Sequence, residues 1–278
     1  MRPLLLALLV LSTFGCSEDK LPKYVALEGL RILALQADTP EVNPGSSVTI
    51  TPYISDINNA GVLNFAWKAC VDTGVAYGAD PTCENNSTAT TETTGTVSTL
   101  NAGNTFTASA DSFVVSVPST ILASRSAREQ YNGVNYLVVY RISDTQGRSV
   151  KSFKRIVVSQ STKTAKNANP SLTGVTKDGA TVTSLSAGSQ STLVPTIGAS
   201  SQESYTVQTE DGGTQTQTEE LQLTWFYSDG ELRFFRTLNE AGNTYTAPTT
   251  YPTTRSSFLV VVARDERGGI SIVKVPVN

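Results

Sequence analysis

Histidine is absent from this 278-residue chain and methionine occurs once. Without histidine there can be no Ser–His or Cys–His nucleophile pair and no imidazole ligand for a metal. Cysteine occurs three times, too few to supply the roughly four N/S ligands of a structural zinc site. Charge is sparse as well: Asp, Glu, Lys and Arg make up 16% of the residues and the net charge is −3. A basic stripe of the kind that binds nucleic-acid phosphates is therefore missing, and no nucleic-acid partner is expected. No apolar run approaches the ~20 residues that a membrane-crossing helix needs. These absences point to no cofactor and no metal, and leave a Ser/Thr-rich, β-rich composition.

The first residues carry the clearest signal. Arg2 precedes LLLALLVL (4–11), an apolar run of eight, which has the length of a signal-peptide core. Ser12, Thr13, Phe14, Gly15 and Cys16 follow. This stretch resembles the lipobox of bacterial lipoproteins, in which a small residue precedes an obligatory cysteine. Thr13 and Phe14 depart from its commonest residues. The resemblance implies cleavage before Cys16, acylation of the Cys16 thiol and attachment to a membrane through that lipid. Residues 1–15 would be the signal peptide and 16–23 a lipidated tether, with the first domain near the membrane and the second farther out. Ser17 after the acylated cysteine points to the outer membrane of the cell envelope. Removing residues 1–15 takes away only Arg2 and leaves 20 basic and 24 acidic side chains, a net charge of −4.

Export also accounts for the other cysteines. Cys70 and Cys83, with twelve residues between them, are left over once Cys16 carries lipid. In an oxidising compartment they most simply pair as a disulfide.

The chain contains two copies of one unit. GSSVTITPYI (45–54) recurs as GSQSTLVPTI (188–197). Leu63 lies four residues before Trp67 as Leu221 does before Trp225, and these are the two tryptophans of the chain. AGNTFTA (102–108) recurs as AGNTYTA (241–247), YLVV (136–139) as FLVV (258–261), and the turn DTQG (144–147) as DERG (265–268). The alternation of Val48, Ile50, Pro52 and Ile54 with Thr49, Thr51 and Tyr53 has strand period. Residues 134–142 and 258–263 read as central strands. The expected fold is all-β: two tandem immunoglobulin-like β-sandwich domains, at 24–160 and 166–278, each with a tryptophan on its third strand. Residues 161–169 read as a polar linker. Residues 118–133 read as one helix between the fifth and sixth strands of the first domain. Asp211, Gly212 and Gly213 mark a hairpin near 203–221 in the second, expected to project with little apolar surface to hold it.

LRILALQADTPEVNPGS (30–46), followed by Trp67 and Cys70, resembles the N-terminal domain of uncharacterised lipoproteins of myxobacterial and Bdellovibrio-type bacteria. It spans residues 16–160 and implies a fold and a location, with no catalytic or binding residue attached.

Candidate chemistry is thin. The adjacent acids Glu18-Asp19, Glu210-Asp211, Glu219-Glu220 and Asp265-Glu266 fall on turns or the tether, or point to opposite faces of a strand. A carboxylate-based hydrolase is the remote alternative. Asp144 and Asp265, each three residues before a glycine, read as turns in which Asp caps the backbone and Gly takes positive φ, more than as calcium ligands. Asp56, Asn58 and Asn59 form a similar oxygen-rich turn. The overlapping sequons at Asn85 and Asn86, with Ser87 and Thr88, read as coincidence, and residues 84–98 as a mobile surface loop. Tyr136 and Tyr140 share a strand face with core packing as their role, and Tyr131 precedes them. The functional expectation is a non-enzymatic envelope lipoprotein acting as a spacer or as a module for an unidentified protein or glycan. Its contact regions would be 70–83 and the hairpin. The alternative is an accessory subunit of a secretion or motility complex.

Overall fold

The computed structural model describes residues 24–57, 62–97, the backbone of 106–107, and 112–278. In chain order the first domain has β1 (Arg31–Ala37), β2 (Glu41–Val42), β3 (Ser47–Ser55), β4 (Leu63–Val71), β5 (Thr93–Val97), β6 (Phe106–Thr107) and β7 (Phe113–Ser116). Then come helix α1 (Ala127–Asn132), β8 (Val134–Asp144) and β9 (Ser149–Val158). One sheet sets β3 between β1 and the strands β6 and β7; the other has the order β2-β9-β8-β4-β5. All pairs are antiparallel except β2 with β9.

The second domain has β10 (Leu172–Lys177), β11 (Ala180–Thr181), β12 (Gln190–Ile197), β13 (Ser204–Gln208), β14 (Thr214–Thr218) and β15 (Gln222–Tyr227). It continues with β16 (Glu231–Leu232), β17 (Arg236–Leu238), β18 (Asn243–Thr246), β19 (Phe258–Arg264) and β20 (Ile270–Pro276). Its sheets run β11-β10-β12-β18-β16 and β17-β15-β19-β20, with β13–β14 as a separate hairpin. In the first domain β1, β3 and β7 share one sheet and β4, β8 and β9 the other; in the second β10, β12 and β18 share one and β15, β19 and β20 the other. That is the immunoglobulin-like arrangement, and it holds in both halves.

The repeated landmarks explain this symmetry residue by residue. Gly45 and Gly188 both hold positive φ, at 79° and 69°, at the entry to β3 and β12, a conformation open to glycine because it lacks Cβ. Pro52 pairs with Leu35 and Pro195 with Val175, and each of these two strand pairs shifts register nearby. A proline cannot donate to the ladder. Trp225 is fully buried and donates from Nε1 to Thr237 Oγ1 at 2.8 Å. Trp67 stacks on Phe113 with centroids 4.7 Å apart. The described part of the AGNTFTA landmark is not equivalent in the two halves: Phe106–Thr107 pairs with Ser55 and Ile54 at the end of β3, whereas Tyr245–Thr246 pairs with Ser191 and Gln190 at the start of β12. Asn243–Thr246 pairs with the start of β12, but the matching stretch of β3 pairs with Phe113–Ser116. Burial of Val115 opposite Val48 sets that pairing; residues 102–105 and 108 lie outside the described residues.

Two further expectations change. Residues 118–133 are not one helix. Residues 118–125 form turns in which Ile121 and Leu122 are buried, and a capping box of Ser126 with Glu129 then starts a six-residue helix. Residues 84–98 carry a strand, β5, paired with β4. Before it, Thr88 Oγ1 and Thr90 Oγ1 accept the backbone N–H groups of Val71 and Ala69. Side-chain oxygens thus continue the edge of β4 where no strand lies.

The domains are not beads on a string. The first described residues, within the range expected for the first domain, belong to the second: Ala26 bridges Tyr227, Leu27 N–H donates to Tyr227 O at 2.9 Å, and Tyr227 N–H donates to Val25 O at 3.1 Å. Val25, Ala26, Leu27, Leu33 and Ala34 are buried in one cluster with Leu223, Trp225 and Val261. This explains why every residue of 258–263 is buried. Val261, opposite Trp225, faces the sandwich interior. Val260 and Val262 face the other way and share a buried cluster with Leu33 and Ala34, where Arg264 Nη2 donates to Leu33 O at 2.8 Å. The described chain thus starts on the second domain, crosses to the first, and returns.

Candidate functional site

Cys16 and the tether lie outside the described residues. Cys70 and Cys83 form a disulfide with Cα atoms 5.7 Å apart. The bridge folds residues 71–82 over the outer face of β8, where Leu137 is buried against both sulfurs' residues. Asp72 pairs with Arg155 at 2.5 Å and Asp80 with Lys151 at 3.0 Å, both on β9. Tyr77 at the loop tip is fully exposed.

The seam between the domains is a network of charges. Glu41 is buried and accepts from Ser159 Oγ at 2.6 Å, Lys163 Nζ at 2.7 Å and the Asn167 N–H at 2.9 Å. Burial opposes its ionisation, but these hydrogen bonds and the Lys163 charge hold the carboxyl below the usual range. Arg267 reaches Glu203 at 2.5 Å, Glu219 at 2.6 Å and Glu41 at 3.7 Å, and lies over the Tyr205 ring. Burial pushes the Glu219 carboxyl up against the pull of Arg267. Lys154, buried on β9, donates to Gly268 O across the seam; burial drives its ammonium down to about 8, opposed by Asp265. The segment read as a polar linker is part of this seam: Lys163 and Asn167 are buried. Its acids come from outside the linker, so spacing along the sequence gave no sign of them. Among the described residues no three His, Cys, Asp or Glu gather as a metal site.

The paired turns behave as their spacing suggests. Asp144 Oδ1 accepts from the N–H groups of Gln146 and Arg148, and Asp265 Oδ1 from those of Arg267 and Gly269. Gly147 and Gly268 both have positive φ. Arg148 adds a forked pair to buried Asp56 at 2.8 and 2.9 Å; Asn58 and Asn59 lie outside the described residues. Asn86 is structural, donating to Val71 O. Tyr136 and Tyr140 are buried in the first core, and Tyr131 lies against Lys163.

The hairpin does not project freely. Its base holds Arg267 through Glu203 and Glu219, and its tip meets α1 of the first domain. Arg128 pairs with Glu210 at 3.3 Å.

An open groove of about 920 Å³ marks the edge of the second sandwich. Here the chain leaves β16 in one sheet and enters β17 in the other. Buried Asn243 clamps the crossing: its side chain accepts the Phe234 N–H at 3.1 Å and donates to Phe234 O at 2.8 Å. Phe235 O accepts the Trp225 N–H. With the backbone held inward on both counts, the two phenylalanines point out, 47% and 55% exposed. Tyr24, Val25, Leu232, Arg233, Phe235 and Arg236 line the groove. Sequence reading missed it, although FF beside two arginines in a turn (233–236) is an unusual surface signal.

No protein-family model and no curated protein matches the chain. Among solved structures it is similar to the D0–D1 domain of intimin, at 12% identity and TM-score 0.24, covering 88% of this chain and 98% of that one. The Ig1-2 module of the Drosophila receptor protein tyrosine phosphatase DLAR shows 9% identity and TM-score 0.27, covering 90% and 98%. The Yersinia pseudotuberculosis adhesin InvE shows 13% and 0.24, covering 88% and 58%. The immunoglobulin-like assignment rests on the strand order.

Proposed function

We propose that this chain is a lipid-anchored, non-enzymatic module of the bacterial cell envelope. Cys16 tethers it to the membrane, and the two locked domains act as a spacer or present a surface to a protein or glycan. The observation that carries this reading is how the seam's carboxylates are used. Glu41, Glu203, Glu219 and Asp265 each hold a cation or an amide that joins the domains. They stiffen the pair of sandwiches and do not face one another across a cleft, as an acid–base pair would have to. Residues 24–27 dock on the second domain, which supports a reading in which that domain, and not the first, stands beside the tether.

Metabolic labelling with an alkyne fatty acid tests the anchor. The wild-type chain should carry label and fractionate with membranes, and Cys16→Ser should lose both. An unlabelled wild-type chain would refute the anchor.

A further inference from the structure

The groove and the chain beside it expose apolar side chains. Tyr24, Phe234, Phe235 and Leu238 are 65%, 47%, 55% and 46% exposed. Each of the three rings carries an arginine: Arg31 lies 5.4 Å from the Tyr24 centroid, Arg233 5.0 Å from Phe234 and Arg236 5.3 Å from Phe235. Exposed aromatics cost solvation, and here the fold holds them out by clamping the backbone beneath them. Rings at the boundary between oil and water, with guanidinium groups reaching to phosphate, are the side chains that settle at a bilayer interface.

The position of the patch is the second argument. Tyr24 lies eight residues after Cys16, and eight residues span at most ~29 Å even when fully extended. A lipid on Cys16 therefore keeps this rim within reach of the headgroups. The patch also gathers three arginines in a chain whose net charge is −3, with Glu231 on the same groove and Glu28 nearby in sequence.

We infer that the Tyr24–Phe234–Phe235 rim, with Arg31, Arg233 and Arg236, is a membrane-contact surface that seats the second domain on anionic phospholipid headgroups. This rests on the anchor reading, and it adds an orientation: the second domain lies against the bilayer.

The test uses the mature chain with Cys16→Ser, which carries no lipid, in co-sedimentation with vesicles of phosphatidylethanolamine and phosphatidylglycerol, and with vesicles of phosphatidylcholine alone. Binding to the anionic vesicles is expected, and should fall about fivefold or more in Phe234→Ser/Phe235→Ser and in Arg233→Gln/Arg236→Gln. Circular dichroism melting of each variant checks that the fold survives. Absence of binding to anionic vesicles overturns the inference, and so does binding that neither double variant weakens. Sedimentation velocity adds an arm: a dimer abolished by Phe234→Ser/Phe235→Ser would make the rim a protein interface and also overturn it. Labelled wild-type protein with no vesicle binding by the Cys16→Ser chain leaves the anchor standing and sinks the contact surface. Vesicle binding with no label does the reverse.

Discussion

Asn132 and Gln208 lie in different domains and exchange two hydrogen bonds: Asn132 Nδ2 donates to Gln208 O at 2.9 Å, and the Gln208 N–H donates to Asn132 Oδ1 at 2.7 Å. The side-chain amide acts as one more strand residue for β13. Asn132 ends a helix found in the first copy of the repeat and Gln208 ends a strand of a hairpin found in the second. The two departures from the shared unit hold each other.

Asn132→Ala should cost about 1–2 kcal/mol by removing both bonds. Amide exchange at Gln208 should speed up while exchange in β19 stays slow. Unchanged protection at Gln208 would show that the hairpin is held from its base by Arg267 alone.

Glu41→Gln should destabilise by about 3–5 kcal/mol, because it leaves the buried Lys163 ammonium without its counter-charge. The wild-type carboxyl sits below its ordinary value of 4.5 when folded. Its contribution is therefore full above that value and is lost as pH falls through the lower, folded one. Urea melts from pH 6 down to pH 3 should show this loss in the wild type, and a flatter profile in Glu41→Gln.

Lys154 gives a slope of the same sign, but its buried charge is a cost at pH 7 where the Glu41 charge is a gain. The lysine's folded pKa of about 8 lies under its ordinary 10.5, so the unfolded chain holds more protons between those two values. Stability should rise with pH across that window. Lys154→Met should lack this rise and match or exceed wild-type stability at pH 7, since it removes the burial of a charge. A slope that persists in Lys154→Met would assign it to other lysines.

Reducing the Cys70–Cys83 bridge, or replacing both residues with serine, should cost about 3 kcal/mol. Cleavage by proteases should then concentrate in 72–82, with both sandwiches intact by circular dichroism. Loss of the whole fold would mean that the first core cannot stand without the loop over Leu137.

Much of the architecture was legible because its causes are local. Strand alternation in 48–54, the positive-φ glycines at 45 and 188, and the Asp–Gly turns at 144 and 265 depend on neighbours a few residues apart. The same locality misled in two places. The helix expected over 118–133 breaks at Ser126, because Ile121 and Leu122 turn into the core before the capping box begins. Phe106–Thr107 pairs at the other end of its neighbour strand from Tyr245–Thr246, because cross-strand burial sets register and a seven-residue likeness does not.

Sequence by itself determined the all-β class, the duplication, the disulfide pair and a central strand at 258–263. It did not show that both faces of this strand are covered. Only the tertiary structure packed Leu33 and Ala34 into one cluster with Val260 and Val262, joined Glu41 to Lys163 and Arg267, and set Phe235 beside Tyr24 on one groove. Each of these depends on the distance between residues that the chain separates by 100 or more positions, or on a backbone clamp such as Asn243. Periodicity records which faces are apolar; what meets them is decided when the two sandwiches pack.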